Sequence, residues 1–224
     1  MDHYYLSAIV LDFGKLIKWI PTFIDGTIVT IVLSLMTVFL GSIIGLFATL
    51  LKQSPNKFFK AIAAVYTQVV RGTPLLVQLY IWLYGLPLIG VTLPALPFLG
   101  DVYGSREFLT AVVALSINSG AYICELLRGG LEAIDKGQME AGRSLGMTWG
   151  QTMRHIILPQ AFKRIIPPLG NEFIAMMKDS SLVSVIGFEE LTRSGQLIIA
   201  RTYGSFEIWM SVAIIYLAMT FTIS

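Results

Sequence analysis

The chain has 224 residues, of which 55% are hydrophobic and only 13% are charged, whereas soluble domains carry about 25% charged residues. Together with a mean hydropathy of +0.72, this composition excludes a soluble globular enzyme and predicts an all-α polytopic membrane protein. The net charge of only +2 argues against nucleic acid as a partner, and a single cysteine excludes an internal disulfide.

Five apolar segments predict five membrane-spanning helices, because a bilayer core needs about 20 apolar residues of helix. They are residues 26–51, 61–90, 108–127, 168–187 and 208–224. The second contains Arg71 and Pro74 and is predicted to form one kinked span. Gly41 and Gly45, four residues apart in the first, predict close packing against another helix. Residues 1–25, with Lys15 and Lys18 among apolar neighbours, predict an external amphipathic segment at the membrane interface.

The distribution of basic residues predicts the orientation in the cell membrane. Nine follow the first or the third predicted span: Lys52, Lys57, Lys60, Arg128, Lys136, Arg143, Arg154, Lys163 and Arg164. The opposite side carries five, which are Lys15, Lys18, Arg106, Arg193 and Arg201. We therefore expect the N-terminus outside and the C-terminus in the cytoplasm. The last span ends without basic residues, so we also expect the natural chain to continue past Ser224.

Signatures of catalysis are missing from the sequence. It contains neither a GxxxxGK[ST] phosphate loop, nor a GxGxxG dinucleotide fingerprint, nor a GxSxG nucleophile motif. His3 and His155 have no partners at metal-ligand spacing. We predict no catalytic residue, no metal site and no cofactor in this chain, so that any energy must come from another chain.

The polar stretch 128–166 between the third and fourth spans predicts a helical cytoplasmic insert. A helix over 138–145 stops at Gly146, a residue suited to the left-handed conformation after a helix. Thr148 and Gln151 form a capping-box pattern that opens a second helix to about residue 157. Pro159 is predicted to end that helix, and a third short helix over 160–166 precedes the fourth span.

Particular residues of this insert resemble the EAA motif of ATP-binding-cassette (ABC) importer permeases. The matching letters are Glu140-Ala141-Gly142, then Gly146, then Ile156-x-Leu158-Pro159. Both spacings agree, and Gly142 replaces the usual alanine. Segments 71–78 (RGTPLLVQ), 125–130 (ELLRGG), 136–138 (KGQ) and 178–182 (KDSSL) resemble polar amino-acid permeases of the histidine, glutamine and arginine type. The resemblance thus covers nearly the whole chain from residue 26.

This resemblance implies a type I ABC importer permease domain over 26–224, with five membrane helices and a coupling insert over 128–166. It implies as partners a dimer of cytoplasmic ABC ATPases that carries ATP and Mg²⁺, a second permease subunit, an extracellular or periplasmic substrate-binding protein, membrane lipid and an amino-acid substrate. We favour a homodimer. The residues expected to couple to the ATPase are Glu140, Ala141, Gly142, Gly146, Ile156, Leu158 and Pro159.

Polar residues within the predicted spans indicate a substrate path, since a charge at mid-bilayer costs about 2.5–3.5 kcal/mol. Helical spacing puts Asn118, Tyr122 and Glu125 on one face, and Glu172 and Asp179 on another. The candidate path residues are Thr73, Asn118, Tyr122, Glu125, Lys178, Asp179, Ser180 and Ser181, and Arg71 and Glu172 are candidates for a gate or a brace. Lys178 would bind the carboxylate of a zwitterion, and Asp179 or Glu125 its ammonium. The alternative is that these charges only pair with one another.

These observations predict a subunit that imports a polar amino acid by alternating access, driven by ATP. The excess of intramembrane acids favours a cationic substrate such as arginine, lysine or histidine. Two alternatives stay open at this point: an ion-coupled secondary amino-acid transporter, and a membrane anchor for a cytoplasmic ATPase.

Overall fold

The computed structural model describes residues 13–224, which form helices and turns without a β-strand in that range. The part of the predicted interfacial segment that falls on residues 1–12 lies outside the described residues. Its remainder, residues 13–25, consists of a 3₁₀ helix over Phe13–Trp19 and the first six residues of α1, Ile20–Lys52. Leu16 and Trp19 pack against a cluster around Phe23 and Leu191, so this part of the segment contacts later helices.

Helix α1 confirms the first predicted span and begins six residues before it, at Ile20. Pro21 stands in the first turn, where a missing N–H costs nothing. The helix ends at Lys52, before Ser54 and Pro55. Its outer face exposes large apolar side chains, as expected for a helix in contact with lipid.

The second predicted span is two helices instead of one kinked helix. α2 covers Lys57–Arg71 and α3 covers Leu75–Leu88, with a π-helical turn at Ile81–Gly85. Pro74 causes the separation: it lacks an N–H and has an extended backbone (φ −63°, ψ 135°), and it disfavours helical geometry at Thr73. α3 is shorter than the helices that could span a membrane by themselves.

Helix α4, Arg106–Glu132, confirms the third predicted span and packs along α1. The Ser105 hydroxyl caps its first turn by accepting from Phe108 N at 3.1 Å. The predicted close approach at the glycines is confirmed. A Cβ built on Gly45 would lie 2.8 Å from Ile123 Cγ2, and one on Gly41 would lie 3.0 Å from Ser119 Cβ. Any side chain at these positions would push the two helices apart.

The insert between the third and fourth predicted spans begins with the predicted helix and the predicted stop. Helix α5, Lys136–Ser144, is followed by Gly146 in the left-handed conformation (φ 83°). The capping box then opens α6, Trp149–Thr152: Thr148 N donates to Gln151 Oε1 at 2.8 Å, and Gln151 N donates to Thr148 Oγ1 at 3.3 Å.

The predicted end at Pro159 and the separate short helix 160–166 are wrong. The chain continues without interruption from α6 through a π-helical turn, Met153–Ile157, into α7, Leu158–Asp179. Pro159 fits because the π turn has already shifted the hydrogen-bond pattern before it. Pro167 and Pro168 lie inside α7 on its exposed side, where solvent can satisfy the carbonyls that they leave unpaired.

The fourth predicted span, 168–187, is therefore the second half of α7 followed by a 3₁₀ helix, Ser180–Ile186, which ends at Gly187 with φ 87°. Helix α8, Leu191–Thr202, and helix α9, Ser205–Ile223, complete the chain, and α9 confirms the fifth span. Among residues 13–224, three helices are long and apolar enough to cross a membrane: α1 (extended to Leu16), α4 and α9. The total of five spans stays a prediction.

Candidate functional site

The break between α2 and α3 forms one wall of a cavity of about 460 Å³. α4 and α7 supply the remaining walls. The lining residues are Arg71, Gly72, Thr73, Pro74 and Leu75 from the break, Asn118 and Tyr122 from α4, and Glu172, Ala175, Met176 and Asp179 from α7. Six side chains singled out in the sequence, from three separate segments, thus meet in one place.

One guanidinium and two carboxylates line this cavity. Arg71 lies over the ring of Tyr122, with its Cζ 5.2 Å from the ring centroid, a distance typical of a cation–π contact. Glu172 is tethered across the cavity wall because its Oε1 accepts from Ser119 Oγ at 2.9 Å. Asp179 is half-buried, and among the described residues its side chain makes no hydrogen bond or ion pair; the adjacent Lys178 acts on it only as a neighbouring charge. Its carboxylate is thus available to a ligand.

Gln78 holds the break in place, and sequence reasoning did not single it out. Its Nε2 donates to Val70 O at 2.7 Å and to Thr73 Oγ1 at 2.9 Å. Its Oε1 accepts from Asn118 Nδ2 at 3.1 Å. One buried amide therefore connects the end of α2, the loop and α4. The available signal was a lone amide within an apolar run, four residues after Pro74.

Three predicted path residues on α7 and the following turn do not line the cavity. Lys178 is exposed, because neighbours in a helix point about 100° apart and Asp179 takes the cavity side. Ser180 is fully buried and donates to Met177 O at 2.7 Å, which uses its hydroxyl locally. Ser181 is half-buried and also outside the lining. Arg71 is the basic residue that lines the cavity, so a substrate carboxylate bound there would lie near Arg71 and not near Lys178.

Glu125 also lies outside the cavity and is bound by two basic residues instead. Its Oε1 accepts from Lys52 Nζ, and its Oε2 lies 2.9 Å from Arg128 Nη2. Lys52 additionally donates to Thr67 at 3.1 Å. Glu125 thus joins α1, α2 and α4, which is the internal pairing considered as the alternative to substrate binding. The long-range partner Lys52 could not be assigned from local spacing.

The motif residues of the insert form an exposed surface on a rigid support. Glu140, Ala141, Gly146 and Pro159 are exposed, and Ile156 and Leu158 are half-buried. Gly142 is buried against α6, since a Cβ there would lie 2.5 Å from Thr152 Cγ2. The small residue therefore serves contact within this chain. Leu145 and Trp149, 81% and 58% exposed, add large apolar side chains to the same surface.

Beneath this surface, an apolar cluster fixes α5 to α4 and α7. It contains Ile134, Ile157, Ala161 and Ile165, with Met139 packed against it. Gln160 Nε2 donates to Ile156 O at 2.9 Å and to Gln138 Oε1 at 3.2 Å. Arg164 Nη1 donates to Ala133 O at 2.6 Å. A displacement of the exposed surface would thus be passed to α7, which lines the cavity.

Comparison with known proteins agrees with this architecture. Residues 38–224 match the family described as binding-protein-dependent transport system inner membrane component. The chain is 40% identical over 213 residues to the glutamine transport system permease protein GlnP of Escherichia coli (strain K12), covering 95% of this chain and 93% of that protein. It is 40% identical over 207 residues to the arginine transport system permease protein ArtQ of Bacillus subtilis (strain 168), covering 92% and 89%.

A solved structure gives the same result in three dimensions. The crystal structure of an amino acid ABC transporter with histidines superimposes with a TM-score of 0.87 at 46% sequence identity. The superposition covers 96% of this chain and 95% of that one. This chain therefore shares its fold with that structure over nearly the whole length of both chains.

Proposed function

The chain belongs to the family of binding-protein-dependent transport system inner membrane components, and we propose that it is the permease subunit of an ATP-driven importer of a polar amino acid. The relatives named for glutamine and arginine transport, and the transporter structure with histidines, support this substrate class. The cavity supports it as well, since a zwitterion needs both a cationic and an anionic partner.

Within this class, the substrate is cationic. The observation that carries this step is the Asp179 carboxylate, which lines the cavity without a hydrogen-bond or ion-pair partner among the described residues. Arg71 is placed to pair with the substrate's α-carboxylate, and Asp179 to pair with a positively charged side chain. Glu172, held by Ser119, adds negative potential and braces α4 against α7.

ATP hydrolysis takes place in a separate ATPase dimer that binds ATP and Mg²⁺. Its docking surface on this chain is Glu140, Ala141, Gly146 and Pro159, extended by Leu145 and Trp149. Gly142, Ile156 and Leu158 support that surface from behind. Movement of the insert reaches α7 through the continuous helix, and the cavity opens alternately to the two sides of the membrane.

The remaining partners follow from the same role. A second copy of this chain completes the pore, and an external substrate-binding protein delivers the amino acid. The chain lies in the cell membrane with its N-terminus outside and its C-terminus in the cytoplasm. An ion-coupled transporter could use Asp179 and Glu172, but that function would not account for the rigid insert. A membrane anchor for an ATPase would not account for the polar cavity.

Uptake by reconstituted vesicles tests the proposal. The permease, its ATPase and its binding protein are reconstituted, and uptake of arginine, lysine, histidine, glutamine and glutamate is followed with ATP inside. We expect ATP-dependent uptake with the three cationic or titratable substrates ahead of glutamine and glutamate. Uptake driven by an ion gradient without ATP would contradict it, and so would ATPase binding without any uptake.

Coupling is tested with Gly146→Val. Gly146 has φ 83°, which a β-branched residue adopts only with strain, so the turn between α5 and α6 should distort. We expect loss of substrate-stimulated ATP hydrolysis in the reconstituted complex. Gly150→Val is the matched control, because Gly150 lies in the same insert with open space around it. If substrate stimulates ATP hydrolysis as strongly in Gly146→Val as in Gly150→Val and in the unmodified complex, the result would contradict the proposed docking surface.

A further inference from the structure

A second polar cavity lies away from the substrate cavity, where α1 and α4 end and α2 begins. Its volume is about 480 Å³, and its lining consists of Lys52, Gln53, Lys60, Arg128 and Glu132. We call it the basic pocket. It shares no lining residue with the substrate cavity. Neither the proposed transport step nor the coupling surface uses it.

The basic pocket carries more positive than negative charge. Lys52 and Arg128 share Glu125, and Arg128 also contacts Glu132. Lys60 forms no ion pair among the described residues, so one positive charge stays uncompensated. Because an ammonium has three N–H donors and a guanidinium five, several donors remain for a ligand with multiple acceptor oxygens. Such a set of donors favours a phosphate group.

Exposed apolar side chains flank this pocket along the chain. Leu50 and Leu51 precede Lys52, and they are 58% and 37% exposed. On α2, Phe58 and Phe59 precede Lys60 and are 67% and 44% exposed, and Ile62 continues the strip at 46%. A soluble phosphate would leave these strips unused. A phospholipid would occupy both, with its headgroup in the pocket and its acyl chains along the strips.

We propose that the basic pocket binds the phosphodiester headgroup of an anionic phospholipid. Pockets of basic residues between membrane helices are suited to such headgroups. Lys60 supplies the uncompensated charge, while Lys52 and Arg128 are held in place by Glu125. Because these residues connect α1, α2 and α4, a bound lipid also stabilises the contact of α2 with the rest of the bundle.

The test is lipid binding to the delipidated, purified permease–ATPase complex, followed by native mass spectrometry. The probes are dioleoyl phosphatidylglycerol, dioleoyl phosphatidylcholine and inorganic phosphate. We expect saturable binding of one phosphatidylglycerol per permease chain, at least fivefold tighter than phosphatidylcholine. Millimolar inorganic phosphate should not displace it. Full displacement by phosphate would mean a site for soluble anions, and equal binding of the two lipids would mean general adhesion; either result overturns the proposal.

Lys60→Gln assigns the binding to the pocket, because the Lys60 side chain makes no hydrogen bond or ion pair within residues 13–224 that the substitution would break. We expect at least fivefold weaker binding of phosphatidylglycerol and a smaller rise of the melting temperature on adding that lipid. Lys57→Gln is the matched control: it removes the same charge from the same helix turn but outside the lining. Equal weakening in both variants would indicate diffuse attraction to the membrane and would overturn the assignment to this pocket.

Discussion

Glu125 and Asp179 are both acids within apolar helices, yet the structure treats them in opposite ways. Glu125 binds Lys52 and Arg128 and has 17% of its side chain exposed. Asp179 lines the 460 Å³ cavity and has no ion-pair partner among the described residues. Burial removes water from both carboxylates, which costs free energy. At Glu125 the paired charges of Lys52 and Arg128 offset this cost, whereas Asp179 has no ion pair to do so. The comparison separates a charge that holds the fold from one that is available to a ligand.

The largest loss of stability is expected when Glu125 is replaced. Glu125→Gln leaves Lys52 and Arg128 close together without their shared carboxylate. Breaking a fully buried pair costs about 3–5 kcal/mol. Because these side chains are partly exposed, we expect the free energy of unfolding to fall by about 2 kcal/mol. This loss would be seen as a lower melting temperature of the purified complex. Glu132→Gln is the control, since that residue is 64% exposed and should cost less than about 0.5 kcal/mol. Equal melting temperatures for the two variants would remove the structural role of Glu125.

A smaller loss of stability is expected when Gln78, whose amide connects the walls of the cavity, is replaced. Gln78→Leu removes the donor to Val70 O and the acceptor for Asn118. Each buried polar group that is left unpaired costs about 1–3 kcal/mol of stability. We expect a raised KM for uptake together with a modest loss of stability. Gln68→Leu, on the exposed side of α2, is the control. An unchanged KM in Gln78→Leu would show that the break does not depend on this amide.

The smallest effects on stability are expected on α7. Asp179→Asn removes a charge that has no ion-pair partner in the described part of the chain and that repels Glu172, so the melting temperature should be unchanged or slightly raised. Lys178→Gln, on the exposed side, should change neither melting temperature nor uptake. A melting temperature lowered by Asp179→Asn as much as by Glu125→Gln would contradict the distinction between the two acids.

Features that depend on neighbouring residues were predictable from the sequence. The apolar runs gave α1, α4 and α9, and the Gly146 stop and the Thr148–Gln151 capping box are local patterns that the structure confirms. The face shared by Asn118 and Tyr122 was also correct, because helical spacing fixes it. The convergence of Asn118 and Asp179 was expected only as a path between spans, and Arg71 only as a gate or a brace, since spacing cannot place one helix against another.

Features that depend on distant or compensating contacts were not predictable. The helix continues through Pro159 because of a π turn, which has no sequence signature comparable to a cap. Lys52 reaches Glu125 across 73 positions of the chain, and Gln78 reaches Asn118 across 40. Lys178 and Asp179 were both placed in the path although neighbouring residues of a helix point about 100° apart. Only the packing of α7 decided between them.

The most direct test of the central claim is the ratio of arginine to glutamine uptake in Asp179→Asn, with the complex reconstituted in vesicles. If the Asp179 carboxylate binds the positive charge of the substrate, the ratio should fall at least tenfold, equivalent to about 1.4 kcal/mol, while glutamine uptake persists. An unchanged ratio, with normal uptake of both amino acids, would contradict the assignment of Asp179 to substrate recognition.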